Sequence, residues 1–365
     1  MLPELFPEFE GDWKGVFIED YLKSVESINT QTLYVRLRGE KKGVSDEKFR
    51  GHFKVRRVNL ANKKVSPFLK PFMYFKWFSK GIKLGRQYSD VNIIHAHGAV
   101  LNGSLAYFIS KKRKIPFVVT EHTGPYSRIL NSWLKSKISK FVFNKAAKVL
   151  VVSEYQKNEV LKLGIPAEKV EVSYNPVNTE TFKKSSENES KTIAFVSRFD
   201  EFKGGLRTVK SFHQLIEKYP EYRLTMVGEG EESDLIKTYV QSNGLGDKVT
   251  LKGTLTKSQI AEVLDKSSFF VFPSRHETFG LVVAEALSCG LPVVCTNTTS
   301  PKEFINDKNG ILVSPDSIKE ITAGMEQMID NREKYNSDLI HSEIEERFGL
   351  GNFGSYLIGL YKRVM

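Results

Sequence analysis

Apolar residues along this 365-residue chain fall into short β-branched and aromatic runs, separated by stretches in which they recur every three or four positions. Runs at Val91–His95, Pro116–Thr120 and Val149–Val152 read as strands in the first half. In the second half they recur at Thr192–Val196, Arg223–Val227, Lys248–Leu251, Phe269–Phe272 and Pro292–Cys295. Helical periodicity fits the intervals, as at Gly205–Glu217 and Leu281–Ser288. Alternation of strand and helix predicts parallel sheets with crossover helices, so the fold class is α/β. The polar stretch at 183–190, KKSSENES, interrupts the pattern, which restarts at once with Thr192–Val196. The chain thus divides into a Rossmann-like domain at 1–183 and a second at 184–349, with a helix at 350–365 expected to pack back toward the first. Two such domains facing each other would bind a ligand beyond the carboxyl ends of their strands, in the cleft between them.

Composition and charge narrow this picture. Hydrophobic residues make up 40% and charged residues 27%, the balance of a soluble globular protein. No apolar run approaches the roughly 18–20 residues of a membrane span. The start, Met1-Leu2-Pro3-Glu4, is acidic where a signal peptide would be basic, so a cytoplasmic location is expected. Cys289 and Cys295 fit two buried thiols in a reducing compartment, and no Cys/His cluster has metal-ligand spacing. The net charge of +11 is unevenly spread: residues 51–150 alone hold 20 basic and 2 acidic residues. Such a field suits an anionic surface or polymer. Within it, Phe68–Lys80 mixes aromatics with lysines, the make-up of a helix lying on an anionic membrane. Nucleic acid would use the same charge, but no recognition motif or aromatic RNA-binding signature accompanies it.

The densest chemistry lies in Phe272–Ala286, FPSRHETFGLVVAEA. A strand ends at Phe272, a turn follows, and a helix begins near Gly280, presenting unpaired N–H groups suited to a phosphate. Glu277 precedes that helix end. Glu285 lies within the helix among apolar neighbours, where a carboxylate needs partners to offset its desolvation. A second cluster opens the domain: Arg198 and Lys203, in a loop after Thr192–Val196 that leads into Gly204-Gly205. Arginine offers a planar fork and lysine a mobile point charge, so the two make a diphosphate clamp.

Taken together, these residues resemble the retaining glycosyltransferases of the GT-B fold, especially family 4 (glycosyl transferases group 1). Glu277 and Glu285 match that family's E-x7-E pattern, and Arg198 and Lys203 its R-x4-K pair. Val227-Gly228-Glu229-Gly230 looks like its strand–loop signature, Gly253-Thr254 the segment beside the nucleobase, and Asn175-Pro176-Val177-Asn178 a turn often written N-G-V-D. The resemblance implies two Rossmann-like domains across a cleft, a nucleotide-diphosphate sugar as substrate, no cofactor and no metal. It implies further that Glu285 binds the ribose and Glu277 the transferred sugar. Arg198 and Lys203 would neutralise the leaving diphosphate, aided by the backbone of Phe279, Gly280 and Leu281. A related fold with a different outcome, a nucleotide-sugar 2-epimerase, fits the R-x4-K and E-x7-E set less well.

In the first half, His95 and His97 follow one strand and His122 another, each at a carboxyl end. His95 reads as a structural hydrogen-bonder. By the resemblance His122 stands near the transferred sugar as the catalytic candidate, and His97 is a weaker acceptor-side candidate. Gly11–Ile18 resembles the family's first loop, with Gly15 letting the backbone approach the donor phosphate. Two departures stand out. Only Met1 and Leu2 precede Pro3 where the family has a full strand, and Asn297-Thr298-Thr299-Ser300 replaces the usual glycines. The expected reaction is transfer of a hexose-type sugar from a UDP- or GDP-sugar to a glycan, lipid-linked at the inner face of the cytoplasmic membrane.

Overall fold

The computed structural model describes residues 1–6, 15–36, 43–49, 53–61, 67–183 and 190–365. The loop at 11–14 and the polar stretch at 184–189 lie outside them. The chain forms two compact units: Met1–Tyr174 with Phe353–Met365, and Asn175–Asn352. The division falls ahead of the expected boundary at 183. Val177 N–H donates to the Phe348 carbonyl at 2.8 Å, and the Ser288 hydroxyl donates to the carbonyl of the fully buried Phe182, so 175–182 packs within the second unit.

In chain order the first unit contains helix α1 (Val16–Ser24) and strands β1 (Gln31–Arg36), β2 (Gly43–Phe49) and β3 (Phe53–Asn59). Helix α2 (Lys70–Gly85), β4 (Ile94–His97), α3 (Ser104–Arg113) and β5 (Phe117–Glu121) follow. Then come α4 (Ser127–Leu130), α5 (Trp133–Lys145), β6 (Lys148–Val151), α6 (Glu154–Leu161) and β7 (Val170–Val172). Strands β4 to β7 are parallel neighbours in sequence order. β1 pairs parallel with β3, and β2 closes that edge antiparallel. Residues 1–3 lie between the two sheets: Leu2 N–H donates to His95 O at 2.8 Å, and Leu33 N–H donates to Met1 O at 3.0 Å. A two-residue stub thus fills the place of the expected first strand. The core packs Leu33, Val35, Ala96, Val119 and Val149 of the sheet against Leu105, Ile109, Val142 and Phe143.

The second unit contains β8 (Thr192–Val196), α7 (Gly205–Lys218), β9 (Arg223–Val227), α8 (Ser233–Ser242), β10 (Val249–Leu251), α9 (Lys257–Asp265) and β11 (Phe269–Phe272). It continues with α10 (Leu281–Ser288), β12 (Val293–Thr296), β13 (Gly310–Val313), α11 (Ile318–Asp330) and α12 (Ser337–Phe348). Its six strands run in the order β10-β9-β8-β11-β12-β13, all parallel. The order reverses between β8 and β11, and such a reversal opens a crevice beyond the strand ends. From Phe353 the chain belongs again to the first unit through α13 (Leu350–Val364). Leu357, Leu360 and Tyr361 of α13 pack with Tyr21, Val118 and Leu150.

Candidate functional site

Both clusters read from the sequence of the second unit stand at that reversal, one after β8 and one after β11. Lys203 Nζ donates to Glu277 Oε1 at 2.6 Å, joining residues 74 positions apart. The lysine side chain is 25% exposed and the glutamate 12%, so the pair sits in a recess. Arg198 is more exposed and donates through Nε to Asp200 Oδ2 at 2.6 Å. Asp200 Oδ1 in turn accepts from Lys203 N–H at 3.1 Å, which shapes the loop carrying both cations.

The loops around them approach closely through glycine. A Cβ on Gly228 (φ +134°) would lie 1.8 Å from Ser197 O, so only glycine fits there. Gly228 N–H donates to Gly253 O at 2.8 Å, drawing the β9 and β10 loops together, with Thr254 exposed beside them. Gly280 (φ +88°) begins α10 without a side-chain cap, at the end of the sheet where the strand order reverses. Phe279 is buried against Phe304 and Phe348, and Leu281 is half-buried. Glu285 lies one turn into α10 and is 7% exposed. Thr299 takes φ +54°, a conformation rarely held by a β-branched residue, and its hydroxyl accepts Glu277 N–H at 3.0 Å. The threonine that replaces a family glycine thus anchors the Glu277 loop. Buried in apolar surroundings, the thiols of Cys289 and Cys295 are held above their ordinary range.

The first unit brings its three histidines together. His97 Nδ1 lies 2.9 Å from His122 Nε2. His95 bonds the hydroxyls of Tyr361 and Thr120, both at 2.6 Å, as a structural residue does. His97 is 1% exposed and stands behind His122, so it offers no surface to an acceptor. Burial pushes the imidazoles of His95 and His122 down to about 3 and lowers that of His97 too. Burial thus favours the neutral form of each ring, in which one nitrogen donates and the other accepts. Gly15 begins α1 at φ +70°, its Cβ position only 2.5 Å from the Leu5 backbone, so packing requires glycine there.

Two carboxylates were not read from the sequence. Glu121 accepts the N–H groups of His122, Thr123 and Ala99 at 2.9–3.1 Å, fixing the His122 backbone. Glu4 keeps an exposed flank, but its carboxyl sits over Gly98, and burial of that end together with the Glu121 charge raises it to about 7. Glu121 ends a fully buried strand, a signal sequence reading could have used.

A separate face bears on the charge excess. Helices α2, α3 and α5 hold eleven basic residues and no acidic one. Phe68, Phe75 and Trp133 are 94%, 71% and 70% exposed. Lys76 lies over Phe72 and Lys137 over Trp133, 4.5 and 4.2 Å from the ring centroids. Trp77, one of the aromatics in the Phe68–Lys80 stretch read as membrane-facing, is instead core: its indole donates to Val35 O at 2.8 Å. No described helix is long and apolar enough to cross a membrane.

Residues 177–341 match the family described as Glycosyl transferases group 1, and 38–181 match Glycosyltransferase Family 4. An uncharacterized glycosyltransferase of Methanocaldococcus jannaschii is 27% identical over 275 residues, 73% of this chain and 74% of the relative. A component of human phosphatidylinositol N-acetylglucosaminyltransferase is 29% identical over 243 residues, 66% of this chain but only 50% of the relative's length. Among solved structures, Anabaena HepE in complex with UDP and glucose superposes with a TM-score of 0.77 at 18% identity, covering 99% of both chains.

Proposed function

The chain belongs to the glycosyltransferases of the GT-B fold, and from that premise we propose a retaining enzyme that moves a hexose-type sugar from a UDP- or GDP-sugar to a lipid-linked glycan. The observation that supports the donor site most is the Lys203–Glu277 contact at the β8/β11 reversal, beside the uncapped start of α10. In this reading the cations of the loop after β8 and the first turn of α10 face the charge that grows on a departing diphosphate, and groups fixed in advance there stabilise the transition state. Arg198 and Lys203 hold the diphosphate, with the amides of Phe279, Gly280 and Leu281. Glu285 holds the ribose, Glu277 and His122 touch the transferred sugar, and Gly15, Gly228, Gly253 and Thr254 shape the walls. Neither a metal nor a cofactor has a role in it. The UDP and glucose bound to HepE support the donor class.

A lipid-linked acceptor at an anionic membrane is supported by the acid-free face of α2, α3 and α5. Basic residues near such a surface contribute about 1 kcal/mol each. The name of the human relative, which includes phosphatidylinositol, points the same way. Calorimetry with UDP and GDP tests the core of the proposal. One of the two should bind the wild-type chain, and both Arg198→Ala and Glu285→Ala should weaken it about tenfold, as loss of a charge-assisted hydrogen bond does. Unchanged affinity in both folded variants would refute the donor site, and loss of transfer in EDTA would refute the metal-independent reading.

A further inference from the structure

We propose that His97 is a positioning residue that holds His122 as an N–H donor, with His122 Nε2 accepting and its proton on Nδ1. The inference rests on the reading of His122 as a sugar-contacting group. It starts from strand register. β4 and β5 are parallel neighbours with His97 opposite Thr120, which sets His122 just past the end of β5 and within reach of His97. The two rings are 16° from parallel, and the 2.9 Å contact between nitrogens requires a single proton between them.

Burial decides which ring supplies it. His97 Nε2 is buried and has no hydrogen-bond partner. If His97 accepted at Nδ1, its proton would sit on Nε2 as a buried N–H with nothing to receive it, the costlier kind of orphan. If His97 donates from Nδ1, Nε2 is a bare lone pair and the cost is smaller. His122 Nε2 then accepts, and a neutral imidazole has one proton, so that proton lies on Nδ1.

The surroundings fix His97 for this task. Its ring stacks on His95 at 4.5 Å between centroids, with Tyr21 edge-on at 4.9 Å. Asn102 Nδ2 donates to its carbonyl at 3.3 Å. Glu121 pins the His122 backbone while His97 pins the ring, so two independent anchors set one donor. His122 can therefore hold a sugar hydroxyl or a phosphate oxygen, and it has no lone pair there with which to take a proton. His95, His97 and His122 are neutral through burial, in keeping with one proton per ring.

Nitrogen-15 NMR of histidine-labelled protein reads the tautomer directly, with His122 assigned by its loss in His122→Ala. Wild type should show His122 protonated on Nδ1. His97→Asp, whose carboxylate can only accept at the Nδ1 position, should draw a proton to His122 Nε2, whereas His97→Asn, whose amide N–H reaches the Nδ1 position, should keep the proton on Nδ1. With donor and acceptor, His97→Asp should lower kcat by about tenfold, the worth of one hydrogen bond, and His97→Asn should retain most of it. His122 protonated on Nε2 in wild type, or an unprotonated His122 Nε2 in folded His97→Asp, overturns the proposal. Should His97→Asp fail to fold, wild type and His97→Asn still decide it. Normal turnover in His122→Ala beside an Nδ1–H tautomer in wild type would instead sink the sugar-contact reading and leave the tautomer assignment standing.

Discussion

Replacing Glu277 by glutamine should tighten the binding of free nucleoside diphosphate while slowing transfer. Lys203 is engaged by Glu277 at 2.6 Å, so an incoming diphosphate must compete for the cation and then share the recess with a carboxylate. Two unit charges about 4 Å apart interact by about 4 kcal/mol at an effective dielectric of 20. Lys203 retains 25% exposure and the pair has a desolvation cost, which reduces its net value to about 1–2 kcal/mol. Glutamine keeps the shape and one acceptor for Lys203 but removes the charge. The diphosphate then recovers about 1 kcal/mol, roughly fivefold in Kd. Titration calorimetry of wild type and Glu277→Gln with UDP and GDP measures the affinity, and initial rates with donor and acceptor measure turnover. The affinity gain should shrink as salt rises, because screening weakens the competition it relieves. Weaker or unchanged nucleotide binding in Glu277→Gln would refute the argument, since it would mean that the carboxylate neither occupies Lys203 nor repels the ligand.

Gly354→Ala should destabilise the first unit by about 3 kcal/mol in chemical denaturation, because its Cβ would lie 1.8 Å from Ser24 O, and a loss under 1 kcal/mol would contradict the packing. The histidine cluster should make stability depend on pH. His95 and His122 stand at about 3 when folded against 6.5 unfolded, so their contribution is complete above pH 6.5 and is lost as pH falls toward 3, at up to about 1.4 kcal/mol per unit each. Glu4, raised to about 7, gains stability over part of that range and offsets one of them; a melting temperature flat from pH 7.5 to 5.5 would contradict this balance. Sedimentation should show the chain binding phosphatidylserine-rich vesicles at low salt and not neutral ones. Lys76→Glu, Lys80→Glu and Lys137→Glu combined should abolish that binding with nucleotide affinity unchanged, and equal binding to both vesicle types would rule out the membrane face.

What could be read from the sequence follows burial. Thr192–Val196, Arg223–Val227, Phe269–Phe272 and Leu281–Ser288 take the bounds their pattern predicts, because central parallel strands and the helix on them are apolar in unbroken runs. The strands of 31–59 gave no such signal. β2 is an exposed edge reading GVSDEKF, and β3 is interrupted by Lys54, Arg56 and Arg57, of which the two arginines meet carboxylates on β2 at Asp46 and Glu47. The Met1–Leu2 stub is too short for any periodicity. In the candidate site, single residues were legible and their partnerships were not. Lys203 and Glu277 each stand out by position, but their contact depends on β8 and β11 being neighbours, which follows from sheet order and not from spacing along the chain. His97 shows the same gap. Its place at a strand end suggested a ligand contact, yet strand register puts the ring behind His122, where its chemistry acts on another side chain. Thr299 runs the other way: reading it as a lost glycine left its role open, and the hydroxyl bonded to Glu277 N–H shows what holds a β-branched residue at φ +54°. Chemistry is thus marked locally by residue type, while the pairing that tunes it is set by topology, the level at which a single sequence says least.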